Sequence, residues 1–100
     1  MTTYSLARNE WGIHGITLVA NQIDTIQFGD DVDEIEILSH DGAAAVYFTV
    51  DGNPPAVEGR GSRVLPAAIN SVMVEPPTAG PTIVKVVSAG TPKISVMRTS

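Results

Sequence analysis

The sequence predicts an all-β domain, an antiparallel sandwich of seven to eight short strands. Three observations carry this. The 100 residues suffice for one core and leave little room for a second. The apolar residues are mostly Val, Ile and Ala, with five aromatics, and β-branched side chains suit a half-buried pleated surface better than a helix. Short apolar runs closed by turn residues recur about every ten positions, the rhythm of a sandwich or barrel.

Taken in order, the candidate strands are 16–20, 25–28, 34–39, 45–51, 62–65, 71–75, 82–88 and 93–98. Strong breakers separate them: Gly29-Asp30-Asp31, Asp41-Gly42, Asp51-Gly52-Asn53-Pro54-Pro55, the run 76–81 and Gly90-Thr91-Pro92. The prolines fall outside strand interiors, where a missing N–H costs a ladder bond. Alternation then assigns faces. Val46, Phe48 and Val50 share one face of their strand, and Tyr47 and Thr49 the other. Ile35 and Ile37 point inward while Glu34 and Glu36 point out, and Val72 with Val74, Val84 with Val86 and Ile94 with Val96 complete the set. Phe48 is expected at the centre, packed with Ile35, Ile37, Val46, Val84 and Val86. Asp41-Gly42 reads as a hairpin corner, and 66–68 as a single helical turn. One buried face per sheet gives a two-layer sandwich of immunoglobulin-like or jelly-roll-like kind over residues 15–100. Residues 1–14 do not alternate and read as an N-terminal arm carrying Tyr4, Leu6, Trp11 and Ile13.

Composition narrows the function. A net charge of -5 and six scattered Lys and Arg argue against a nucleic-acid binder. No apolar run approaches the roughly 18 residues of a membrane span. The opening residues lack the basic start and apolar stretch of a signal peptide. Without cysteine there is neither a disulfide framework nor a thiolate metal site.

Each motif has a plain reading beside its chemical one. Asp30, Asp31, Asp33, Glu34 and Glu36 suggest calcium, but Ile35 stands where an EF-hand loop needs its glycine, so a solvated turn is expected. Ser39-His40-Asp41 holds the residue types of a hydrolase triad. Neighbours on an extended chain point to opposite faces, so these three are not expected to converge. With only His14 and His40 there is no histidine-rich metal site. The Gly59–Arg63 run lacks the Gly-Lys-Ser/Thr ending of a phosphate loop, leaving Arg60 and Arg63 to contact an acidic neighbour or to solubilise the loop. Trp11 either plugs the chain's own core or anchors a partner, since Trp is enriched at interface hot spots. No catalytic, cofactor or metal residue is expected.

Three phrases carry a resemblance: AVYFTVDGNP at 45–54, VLPAAI at 64–69 and VKVVSAGTPKISV at 84–96. Together they resemble small β-rich virion proteins encoded by tailed phages of actinobacteria, over about residues 16–97 and not over the first fifteen. The phrase from Tyr47 to Pro54 alone also resembles immunoglobulin-like modules attached to carbohydrate-active enzymes. The resemblance implies a structural component of the particle, a capsid decoration or minor capsid protein. Such a protein sits on the capsid surface after synthesis in the host cytoplasm, with no cofactor, nucleic acid or membrane contact. Its partners are the major capsid protein or another virion protein, and copies of itself. The alternatives are a tail, connector or fibre component, or an immunoglobulin-like carbohydrate- or protein-binding module. The residues expected to meet the partner are Tyr4, Leu6, Trp11, Ile13, Arg60 and Arg63. Deleting residues 1–14 is expected to leave a folded domain that attaches poorly.

Overall fold

Alternation in the sequence becomes alternating burial in space. The structure, a computed structural model, describes residues 2–76 and 81–99. It contains β1 (Thr3–Ser5), β2 (Gly12–Thr17), β3 (Asp24–Gln27), β4 (Ile35–Ser39), β5 (Val46–Thr49), β6 (Arg63–Leu65), β7 (Ser71–Val74), β8 (Ile83–Val87) and β9 (Lys93–Arg98), and among the described residues no helix. The strands form a five-stranded sheet ordered β1-β3-β8-β5-β6 and a four-stranded sheet ordered β2-β9-β4-β7. Every pairing is antiparallel except β1 with β3. The protein is therefore an all-β sandwich, as the apolar runs predict.

Between the sheets lies one core. Ile35 and Ile37 from β4, Ile94 and Val96 from β9, Val46 and Phe48 from β5, and Val84 and Val86 from β8 are all fully buried in it. Each such side chain contributes on the order of 1.5–3 kcal/mol by leaving water. Phe48 and its five expected neighbours belong to this cluster.

The strands run alternately up and down, so the loops gather at two ends. At one end, Arg98 N–H donates to Trp11 O (2.7 Å) and Thr99 N–H to Glu34 O (3.2 Å), joining the 6–11, 28–34 and 98–99 segments, and Thr82 N–H donates to Asp30 O (3.2 Å). The 50–62 loop and Glu75 lie at this end too. At the other, Leu18 N–H donates to Pro92 O, Asn21 N–H to Ser88 O and Ala68 N–H to Gly42 O. Most acidic side chains, from Glu10 and the 30–34 run to Asp51, Glu58 and Glu75, lie at the first end, which is the acidic end.

Three expectations are corrected. Asp41-Gly42 is not a hairpin, because β4 and β5 belong to different sheets. Both strands turn apolar faces toward the same core from opposite sides, a pattern that a hairpin and a crossing corner share. Of consecutive strands among the described residues, only β5 and β6 are paired.

The second correction concerns 66–68, which form a four-residue turn rather than a helical one. Ile69 N–H donates to Pro66 O (3.2 Å), with Ala68 in the left-handed region at φ 67°. Type II turns demand that conformation at this position, and Asn9 and Asn21 meet the demand in the turns 7–10 and 19–22. An alanine there is strained. Ala68→Gly is expected to stabilise the domain by about 1 kcal/mol, read as a rise in Tm of about 4–8 °C. An unchanged or lower Tm would show that the turn relaxes around alanine at no cost.

The third concerns residues 1–14, expected as an arm outside the sandwich. They supply β1, on the edge of the larger sheet, and the first half of β2, on the edge of the smaller one. Alternation fails here because of a bulge. Ile13 pairs with Val96 and Ile16 with Ile94, two positions on β9 against three on β2. The extra residue lets Ile13 and Ile16 both face the core, and Gly15 takes up the distortion at φ 69°. The expected turn at 76–81 lies mostly outside the described residues.

Candidate protein-binding surface

The residues expected to meet a partner divide into two groups at the acidic end. Tyr4 on β1, Leu6 beyond it and Ile13 on β2 are half-buried and pack against the chain's own core. Trp11, between them, stays 59% exposed. Arg60 and Arg63 are exposed on the opposite flank, next to and on β6. In the larger sheet, β1 and β6 are the two edges, four strand spacings or about 19 Å apart. The six residues therefore do not form one patch.

The chain fixes the Trp11 backbone firmly. Upstream, Glu10 N–H donates to Ala7 O (3.2 Å) across the Asn9 turn, and Ala7 N–H donates to Glu10 Oε1 (2.6 Å). Downstream, β2 begins at once, and Trp11 O accepts from Arg98 N–H. The turn lies close against Gly29, where a Cβ would come within 2.7 Å of Arg8 N and 2.8 Å of Leu6 O. Glycine is needed for that approach.

The Arg98 guanidinium in turn binds Asp30 Oδ2 at 2.8 Å, both side chains being largely buried. The hydrogen bond from Arg98 holds the Asp30 carboxyl below its ordinary value against the opposing effect of burial. The Arg98 charge, the Asn9 backbone N–H and Arg8 add to the lowering. Thr99 donates to Glu34 Oε1 (2.7 Å), so two of the five acidic residues expected in a solvated turn serve instead as structural acceptors. Among the described residues, no three His, Asp or Glu side chains are gathered to hold a metal ion.

Ser39, His40 and Asp41 go separate ways, as neighbours on an extended chain must. Ser39 Oγ accepts from Gly42 N–H (3.0 Å), and Asp41 accepts from Ala43 N–H and Lys93 N–H. His40 Nε2 meets Ser95 Oγ at 2.7 Å. Ser95 is 1% exposed and its Oγ also accepts from Gly15 N–H (3.2 Å), so the hydroxyl ties the β2 bulge and the end of β4 to β9. The sequence offered one hint of this, a lone serine between Ile94 and Val96 on the outward face.

Apolar exposure appears where the sequence reading did not look for it. Val64, Ile69 and Met73 are 43%, 49% and 59% exposed and lie within one stretch comprising β6, the 66–70 connection and β7. No charged residue occurs from Val64 to Val74. Val19, in the loop after β2, is the remaining large exposed apolar group among the described residues.

No known family model matches the chain, and no curated protein does. Solved structures do resemble it in shape. CorA, a surface-associated copper-binding protein of Methylomicrobium album BG8, is similar with a TM-score of 0.50 and 12% identity, over 99% of each chain. PliG of Aeromonas hydrophila, a periplasmic inhibitor of g-type lysozyme, gives 0.44 and 14% over 99% of this chain and 100% of its own. The pre-peptidase C-terminal domain of a Bacillus anthracis collagenase gives 0.45 and 13% over 96% of each. The likeness is one of fold.

Proposed function

We propose that the chain is a non-enzymatic structural protein of a virion, a capsid decoration or minor capsid protein that binds the head shell. The observation that carries the binding role is Trp11. Its apolar neighbours Tyr4, Leu6 and Ile13 pack on the core, while the single Trp stands out on a backbone fixed from both sides. A rigidly presented aromatic loses little entropy when a partner covers it, which is how interface anchors work. The committed state of Ser95, buried and bonded to His40 and Gly15, supports a structural rather than a nucleophilic role for the one Ser–His contact described. The virion setting rests on the three sequence phrases between residues 45 and 96. Repetition around a shell makes modest contacts effective, because each bound copy raises the effective concentration of the next.

Binding of the purified protein to shells stripped of it tests the reading. Trp11→Ala is expected to weaken attachment by about 2 kcal/mol, about 30-fold in affinity, with Tm unchanged because the side chain is exposed. Full-strength binding by this variant removes the anchor. Electron microscopy of particles tests the setting: decoration predicts density at many symmetry-related sites on the head, and density confined to the tail assigns the protein there.

A further inference from the structure

Among the described residues the sandwich has four open strand edges, and they differ in how they are guarded. Edges present unpaired N–H and C=O groups, and folded proteins protect them with brevity, charge, proline or bulges. β1 and β6 have three residues each, and β6 carries Arg63. β2 has six residues but includes a bulge and two glycines. β7, with sequence Ser-Val-Met-Val, is one residue longer than β1 and β6 and pairs with β4 in unbroken register, with no charge, proline or bulge inside it, Glu75 and Pro76 coming only after its end. Among the described residues no strand lies on its outer side.

We infer that the outer edge of β7 is a self-association strand, along which a second copy of this chain pairs antiparallel and extends the four-stranded sheet to eight strands across a two-fold axis. Charge directs a copy to this edge over others. Each chain carries -5, so two copies repel over most approaches, whereas the stretch from Val64 to Val74 is uncharged and Glu75 stands only at the margin of the contact. Register favours it as well. Opposed residues in an antiparallel pair share a face, so a two-fold normal to the sheet through Met73 sets Met73 against its own copy. Val72 then opposes Val74 on the inner face, continuing both cores, and Ser71 opposes Glu75, so no like charges meet. Met73, 59% exposed on the outer face, is covered by its twin. The two-fold closes the assembly, because each β7 edge is used once. This contact lies on the opposite edge of the smaller sheet from Trp11, leaving that side chain free to meet a shell.

The chain has no cysteine, which makes the test direct. Sedimentation equilibrium of the parent is expected to show concentration-dependent dimers, and Met73→Lys to lose them while its unfolding at low concentration stays unchanged. Met73→Cys is expected to give a disulfide-linked dimer on mild oxidation, and Val19→Cys, an exposed position in the 18–23 loop, to remain monomeric under the same treatment. A parent that sediments as a monomer up to millimolar concentration overturns the inference. So does dimerisation that survives Met73→Lys, or equal crosslinking at both cysteine positions.

Discussion

Phe48→Ala is expected to cost about 3–5 kcal/mol, enough to leave a domain of this size partly or wholly unfolded. Phe48 is fully buried on β5, the strand flanked by β6 and β8, and is among the largest side chains so enclosed. It belongs to a cluster drawn from both sheets, including Ile35, Ile37, Val84, Val86 and Ile94. Truncation there leaves a cavity whose walls belong to separate sheets, and two sheets held apart by their remaining side chains cannot easily collapse into it. Chemical denaturation of both proteins measures the loss. A loss below about 1 kcal/mol would mean that the core repacks around the gap. Tyr47, on the outer face of the same strand, is the natural control.

Removing residues 1–14 is expected to be at least as damaging. The deletion strips the β1 edge from β3 and half of β2 from β9. It removes Tyr4, Leu6 and Ile13 from the core and the Thr2 N–H bond to Asp24 Oδ1 (3.0 Å), and it takes away the 6–8 segment that Gly29 packs against. Three half-buried side chains and the lost ladder together amount to about 5 kcal/mol or more, comparable with the entire stability of a small domain. The truncated chain should lack a cooperative thermal transition, and its failure to bind any partner would follow from that. A truncation that still melts cooperatively within a few degrees of the parent would restore the arm as a separate element.

Much of the fold was legible because it depends on local pattern. The run 93–98 has the bounds of β9, and the alternation of Ile35 with Ile37 and of Val46 with Phe48 identified the buried faces correctly. Pairing was not legible. Any strand with one apolar face satisfies a sandwich from either side, so the sequence around Asp41-Gly42 does not reveal that the chain leaves one sheet for the other. The N-terminal strands were hidden for a different reason. One bulge at His14 and Gly15 shifts the phase of alternation, and the three residues of β1 are too few to show a period. Of the candidate surface, the exposure of Trp11 agrees with one of the two roles weighed for it. Val64 and Ile69 look from sequence like any other core residues, and Met73, outward by the alternation of Val72 and Val74, gives no sign of how bare it is, because exposure of an apolar group depends on which strands end up at an edge.

The order of strands also dictates when folding can begin. The smaller sheet is built on β9, which lies between β2 and β4, and the larger on β8, which lies between β3 and β5. Both of these inner strands are synthesised after the seven others described. A nascent chain that has emerged only as far as β7 can pair β1 with β3, β4 with β7 and β5 with β6, but β2 has nothing to join and the paired strands cannot yet be assembled into two sheets. These apolar strands must wait for their inner neighbours until residues 83–98 are available, and this is when chaperones or aggregation compete for them. Ribosome-arrested chains should therefore stay protease-sensitive until β9 has cleared the exit, then gain protection in a single step.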